Sequence, residues 1–381
     1  MQTQPSQQAN RLLFLDLFRG LAVFGMFDAH ITNALVRLPV PLSGLAYYHD
    51  KLFNLPAEAF LMAAGISFGM SVARRWQEYR AWSPALRNRL GRLLEILALG
   101  FLLHVPYFSL RRTMFQASHA QILKFLSMDV LQCIAATAFV ALALVWVLPG
   151  PRWFFHSCVI ATVVIALATP AVWNLSQHLP WWLGTYLSKR WGSTFPLFPY
   201  AAYLFAGAAW GYRFASAAQA GMLERFMKSS GKAGRGMVLA GAALAFLPVP
   251  APYNDFWIAS PQFFLVSVGF LNWTLSVLSL AKSWLALPAK FLAPLGQESL
   301  LIYMAHLMII YGSLINRKAN LRTMIGPTIG FWEWLVIYAL LALAMVALAR
   351  LWSWVKEKSH WNISRLEWAV AACLAVVFIV R

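Results

Sequence analysis

The sequence predicts an all-α polytopic integral membrane protein, a bundle of about ten or eleven transmembrane helices. Three observations predict it. Of its 381 residues 60% are hydrophobic and only 12% charged, with a mean hydropathy of +0.62, whereas soluble domains carry about 25% charged residues. The apolar residues gather in blocks of about twenty, the length a helix needs to cross a ~30 Å hydrocarbon layer. No ten-residue alternation of apolar and polar positions runs through the chain, which argues against a membrane barrel.

The first block, 12–36, follows the polar segment MQTQPSQQAN, expected to be a flexible cytoplasmic N-terminus over residues 1–10. It is not a cleaved signal, because it is long, lacks a small-residue cleavage site and carries Asp16, Arg19, Asp28 and His30. The second block, 55–74, is small and apolar apart from Glu58. A basic stretch at 74–92 leads to the third block, 91–108. The fourth, 127–148, opens on Asp129 and Gln132, one helical turn apart. Blocks at 154–173 and 195–213 follow. The segment 214–236 reads as a basic loop too short to fold alone, before the seventh block at 237–252. Blocks eight to ten are 261–281, 292–315 and 331–354. The last, 366–380, is short enough to lie at the interface instead of spanning. Residues 11–381 thus read as one membrane domain, with no internal repeat, nucleotide loop or low-complexity tract.

A formal charge of +18 would suggest nucleic acid in a soluble protein. Its distribution gives a different partner, the lipid bilayer, and no nucleic acid is expected. With a cytoplasmic N-terminus, the segments between blocks hold 19 Lys and Arg inside against 11 outside. The two longest basic segments, 74–92 and 214–236, fall on the same side, as the positive-inside rule requires. The expected location is an inner or plasma membrane. Trp181, Trp182, Trp352 and Trp354 lie at block ends, where an interfacial aromatic belt belongs. Cys133, Cys158 and Cys373 sit inside apolar blocks with neither metal-ligand nor disulfide spacing. No two histidines stand three or four apart, so no metal site is expected.

Ionisable groups inside spans are costly and usually face a cavity or a partner. Asp16 and Arg19, three apart, can pair on one face of the first helix, either as an interfacial anchor or as part of a channel. At ~100° per residue, His30 returns to nearly the face of Arg19, about 16 Å further along. A histidine there serves either as an interhelical hydrogen bond or as a proton carrier near neutral pH. Asp28 falls roughly on the opposite side, and with Asp129, Gln132 and Tyr303 it is a candidate to line the substrate path or channel. Glu58 could orient an imidazole, line a substrate path or pack protonated. His49 sits in the segment expected to be an outer loop, where a solvated histidine is the plain reading. His306 lies three residues after Tyr303 in the ninth block. These groups suit proton transfer or nucleophilic attack by histidine.

Four stretches resemble a known family. They are LDLFRGLAVFGMFDAHITN at 15–33, AEAFLMAAGISFGMSVARR at 57–75, FPLFPYAAYLFAGAAWG at 195–211 and LGQESLLIYMAHLMIIYG at 295–312, with VLQCIA at 130–135 as a weaker fifth. In this order they resemble the transmembrane acyltransferases related to lysosomal heparan-α-glucosaminide N-acetyltransferase. The opening helix is also similar to that of sugar O-acyltransferases and periplasmic-glucan succinyltransferases, and AEAFLMAAG is closer to the latter. The resemblance implies transfer of an acyl group, usually acetyl, from cytoplasmic acetyl-CoA or another acyl-CoA to a glycan or other envelope acceptor across the membrane. It makes His30 the leading catalytic candidate, gives Asp16 and Arg19 a place in the donor channel, and puts His306 in the site wall. The family's working histidine stands in the loop after the first helix. His49 is the only histidine in that segment, yet its distance to the next helix departs from the family, so the choice between His30 and His49 stays open. The donor's phosphates would favour Arg74, Arg75, Arg87, Arg89 and Arg92, whose other reading is topology and headgroup contact. Dimerisation is a further expectation of the resemblance. A proton-coupled transporter or a non-catalytic relative are the alternatives.

Overall fold

The structure is a computed structural model that describes residues 5–37, 44–52, 54–246, 256–281, 285–313, 316, 318–358, 376 and 378. The described chain is helical, with no strand beyond one isolated bridge between Val36 and Ile329. In order the helices are α1 (Pro5–Leu35), α2 (Gly44–Leu52), α3 (Leu55–Arg80), α4 (Pro84–Leu102), α5 (Leu110–Phe115), α6 (His119–Leu126), α7 (Val130–Val147), α8 (Pro151–Leu175), α9 (Trp181–Leu187), α10 (Leu197–Gln219), α11 (Leu223–Leu244), α12 (Phe256–Ala259), α13 (Pro261–Leu280), α14 (Ala286–Gln297), α15 (Ser299–Tyr311), α16 (Leu321–Met324) and α17 (Phe331–Lys358).

The chain is a polytopic membrane protein, and its outward faces say why. On α8 the side chains of Ile160, Val163, Val164 and Leu167 point outward, and on α17 those of Val336, Leu340 and Leu343 do the same. Within the most apolar window of α17 only 22% is buried by the protein itself. Such a surface is stable against hydrocarbon and not against water. Five helices are long and apolar enough to cross a membrane, in the regions 47–80, Val130–Val147, Pro151–His178, Pro261–Leu280 and Phe331–Lys358. The pair α14–α15 makes a sixth if counted as one bent span. The expected blocks 12–36, 91–108 and 195–213 overlap α1, α4 and α10, whereas 237–252 shares only 237–244 with α11, and its residues 247–252 lie outside the described residues. The block expected at 366–380 lies outside the described residues, save 376 and 378.

Three expectations change. The helix α1 begins at Pro5, inside the segment expected to precede it, with proline suited to a first helical turn. The basic segments 74–92 and 214–236 are mostly helix and not loop. Helix α3 runs to Arg80, and Ser83 then caps α4 by accepting from Leu86 N–H at 3.1 Å. Helix α11 begins at Leu223, and Arg225, Lys228, Lys232 and Arg235 recur at helical spacing on its exposed side. The ninth block is broken: α14 and α15 meet at Glu298 at an angle of 88°.

The chain divides into two compact units. One comprises residues 57–104 and 119–280. Within it, α3 crosses α10 at Gly65, Gly69, Gly207 and Gly211, where a Cβ on any of the four would strike the facing backbone carbonyl. This is the small-residue packing by which membrane helices, lacking a hydrophobic drive between them, gain van der Waals contact. Helices α11 and α13 meet likewise at Gly234 and Gly269. The other unit comprises residues 1–56, 105–118 and 281–381. There α1 packs on α14, α15 and α17. Gly20 lies against the Leu292 carbonyl and Gly296 against that of Asp16, so α1 and α14 touch backbone to backbone.

Candidate functional site

The unit built on α1 gathers Asp16, Arg19, Asp28, His30, His49, Tyr303 and His306 of the residues singled out above. At the N-terminal half of α1, Arg19 Nη1 stands 3.6 Å from Asp16 Oδ1, the pair expected from the three-residue spacing. The close α1–α14 approach brings Gln297, whose Nε2 donates to Asp16 Oδ2 at 3.1 Å. At the helix break, Glu298 accepts from Lys356 Nζ at 2.6 Å and from the Ser353 hydroxyl at 3.4 Å.

Two histidine sets occupy the C-terminal half of α1, on different faces. Asp28 and His30 are two residues apart and hence about 200° apart around the helix. On one face, Asp28 Oδ2 accepts from His49 Nε2–H at 2.8 Å, and the Thr32 hydroxyl donates to Asp28 Oδ1 at 3.2 Å. The pair is reachable from outside the protein, with His49 43% and Asp28 30% exposed. His49 thus stands on helix α2 and holds a carboxylate, where a solvated loop residue was the plain expectation. Asp28, from sequence a candidate for lining the substrate path, is the group that accepts from it.

On the other face, His30 packs against α15. The Tyr311 hydroxyl donates to the His30 carbonyl at 3.3 Å and stands 3.3 Å from His30 Nδ1. His306 is fully buried, its ring 5.3 Å from that of His30, 5.2 Å from Phe27 and 5.6 Å from Tyr303. Its Nδ1–H donates to the Ile302 carbonyl at 2.7 Å, and its Nε2 has no hydrogen-bond partner among the described residues. Tyr311 and Gln297 were not singled out from sequence. Both lie in the stretch 295–312, and only the packing of α14 and α15 on α1 reveals them.

The other unit holds the remaining candidates. Asp129 caps α7 and forms a reciprocal capping box with Gln132. His104 Nε2 stands 3.6 Å from Asp129 Oδ2. The one-turn spacing builds a helix start, as the capping rules describe. Glu58 is 3% exposed, and its neighbours within the unit are Ser267 of α13 and Tyr203 of α10 and not an imidazole. Among the basic candidates, Arg89 is held by Tyr79 and lies over the Phe68 ring at 5.2 Å. Arg92 is paired with Glu95 at 2.8 Å. Arg74, Arg75 and Arg87 are exposed. No group of three or more His, Cys, Asp or Glu among the described residues could hold a metal ion.

Residues 11–247 match the family described as heparan-alpha-glucosaminide N-acetyltransferase, catalytic. No curated protein matches the chain. The match spans α1 to α11 and so includes Asp28, His30 and His49, whereas His306 and Tyr311 lie beyond it.

Proposed function

The chain belongs to the family of the heparan-alpha-glucosaminide N-acetyltransferase catalytic domain, and from that premise we propose that it transfers an acyl group, in the first instance acetyl, from cytoplasmic acyl-CoA to a glycan or other envelope acceptor on the outer side of the membrane. The observation that carries this reading is the Asp28–His49 pair at 2.8 Å. A thioester is already activated, so the protein has to deprotonate an acceptor, polarise a carbonyl and admit the pantetheine arm. Asp28, itself held by Thr32, accepts His49 Nε2–H and so leaves Nδ1 as the acceptor nitrogen. That nitrogen takes the proton of an acceptor hydroxyl or amine as its heteroatom attacks the thioester carbon. The carbon–sulfur bond then breaks and CoA leaves as its thiol.

The Asp16–Arg19–Gln297 cluster is assigned to the donor's path along α1, toward the cytoplasmic end. Exposed Arg74, Arg75 and Arg87 are the remaining cytoplasmic candidates for CoA phosphates. Arg89 and Arg92 already have partners and are weaker ones.

Purified protein in liposomes, given labelled acetyl-CoA and a panel of glycan acceptors, is expected to release free CoA only when acceptor is present. CoA-independent, proton-driven solute uptake with no CoA release would replace this reading with a transporter.

A further inference from the structure

Helix α11 has an outward face that acyl transfer leaves unused. Its inward face packs on α13, where an added Cβ at Gly231, Gly234 or Gly241 would strike Ser276, the Gly269 carbonyl or the Gln262 carbonyl. Seven residues make nearly two turns, so positions seven apart share one line down a helix. Arg225, Lys232, Leu239 and, just past the helix end, Phe246 stand in that register, and all four are exposed. The line reads cation, cation, apolar, apolar. Lys228 and Arg235 flank its basic half, and exposed Gly236, Ala240 and Ala243 flank its apolar half. Leu239 is 71% and Phe246 90% exposed, a surface suited to hydrocarbon and not to water. From Lys232 to Leu239 is ~10 Å of helix. Within that rise the surroundings of α11 pass from water to hydrocarbon.

The basic half holds a hollow lined by Glu224, Arg225, Lys228, Ser229 and Lys232. Lys228 is paired with Glu224 at 2.7 Å. Arg225, Lys232 and Arg235 have no ion-pair partner among the described residues. Cations without partners beside a serine hydroxyl suit a phosphodiester.

We propose that this face of α11 binds an anionic phospholipid. The headgroup phosphate sits on Lys232, between Arg225 and Arg235 along the helix, and an acyl chain runs over Gly236, Ala240 and Ala243 toward Phe246. The apolar half decides for a lipid. Soluble CoA or an acidic protein segment would satisfy the cations and leave the strip from Gly236 to Phe246 uncovered, whereas a phospholipid matches both halves at once. Basic residues attract anionic headgroups anywhere on a membrane surface. On α11 they meet at one hollow, directly above a strip of small residues that an acyl chain can follow. The surface lies within the unit of residues 57–104 and 119–280 and is independent of the acyl-transfer reading.

The test attaches a bimane fluorophore at Gly236→Cys, where an added side chain meets open space, in the full-length protein with its other cysteines replaced. In phosphatidylcholine bilayers, quenching by brominated phosphatidylglycerol is compared with quenching by brominated phosphatidylcholine. Phosphatidylglycerol is expected to associate at this position about tenfold or more tightly, and Lys232→Gln to lower that preference about fivefold. Arg152→Gln, which removes the same charge from the exposed first turn of α8, is expected to change it less than about twofold. Equal quenching by the two lipids would overturn the proposal. So would a loss in Lys232→Gln no larger than that in Arg152→Gln, the mark of a diffuse surface potential. Soluble CoA is expected to leave the quenching unchanged, and displacement of the lipid by CoA would assign the hollow to a free phosphate and overturn the lipid. Native mass spectrometry of the protein with all its own cysteines gives a second reading. Phosphatidylglycerol is expected to stay bound in preference to phosphatidylcholine, and Lys232→Gln to lose that preference. Equal retention of both lipids would again overturn the proposal.

Discussion

Asp28 shows how a residue gains meaning from a partner twenty-one positions away. In the sequence it is a carboxylate on the face of α1 turned away from Arg19 and His30. In the structure it is the acceptor for His49. A general base typically contributes about 10²–10⁴-fold, so His49→Ala is expected to lower kcat/KM for acyl transfer at least about a hundredfold. Asp28→Asn keeps the size but presents an amide that can also donate toward the ring, so it is expected to lower kcat by about tenfold or more, with KM for acyl-CoA little changed. Stopped CoA-release assays at saturating donor check both. Equal activity of wild type and His49→Ala would move the base to His30. The sequence made His30, His49, Asp16 and Arg19 visible as candidates because charge inside an apolar block is conspicuous. It did not make their pairing visible, since Tyr311 and Gln297 meet α1 only through packing across 281 residues of chain. Asp129 and Gln132 carry a structural role that the sequence reading did not name. Their spacing looks functional, and their geometry is that of a helix start.

At the scale of elements, helix existence was legible and helix ends were not. Blocks of apolar residues locate the spans, but α4 and α11 extend through basic segments because charge on an exposed face does not interrupt a helix. The break at Glu298 was hidden because hydropathy runs on unchanged through α14 and α15, whereas Pro294 and the Lys356 ion pair fix the corner. Glycine carries the tighter constraint. At Gly65 and Gly211 an added Cβ would meet the backbone carbonyls of Leu204 and Ile66, and backbone has no rotamer with which to yield. Gly65→Val and Gly211→Val are therefore each expected to destabilise by about 1–3 kcal/mol or more, lowering the Tm in detergent by several degrees. Gly236, exposed on α11 with nothing near its Cβ position, is the control. Gly236→Ala is expected to leave Tm unchanged or raise it by an amount equivalent to about 0.5–1 kcal/mol. Thermal unfolding followed by intrinsic tryptophan fluorescence reads all three. Tolerance of Val at Gly65 would mean that the α3–α10 crossing is looser than its backbone contact implies.

At the scale of the whole molecule, sidedness decides whether the chemistry crosses a barrier at all. Acyl-CoA carries phosphates that do not enter hydrocarbon, so a donor on one side and an acceptor on the other require the acyl carbon to pass along the protein. We propose the direction from the charge asymmetry of the sequence, which would put Arg225, Lys228, Lys232 and Arg235 of α11 and the basic turn between α3 and α4 inside. On that proposed orientation the sequence assigns both the segment of His49 and that of Arg190 to the outer side. In a cysteine-free background, Arg190→Cys and Lys232→Cys, both exposed positions, report the two sides. An impermeant maleimide added to intact cells is expected to label Arg190→Cys fully, and Lys232→Cys only after permeabilisation. The reverse pattern would place His49 with the cytoplasmic pool of acyl-CoA. Donor, base and acceptor could then share one compartment, and the bilayer would be only the solvent of this fold, with no part in its reaction.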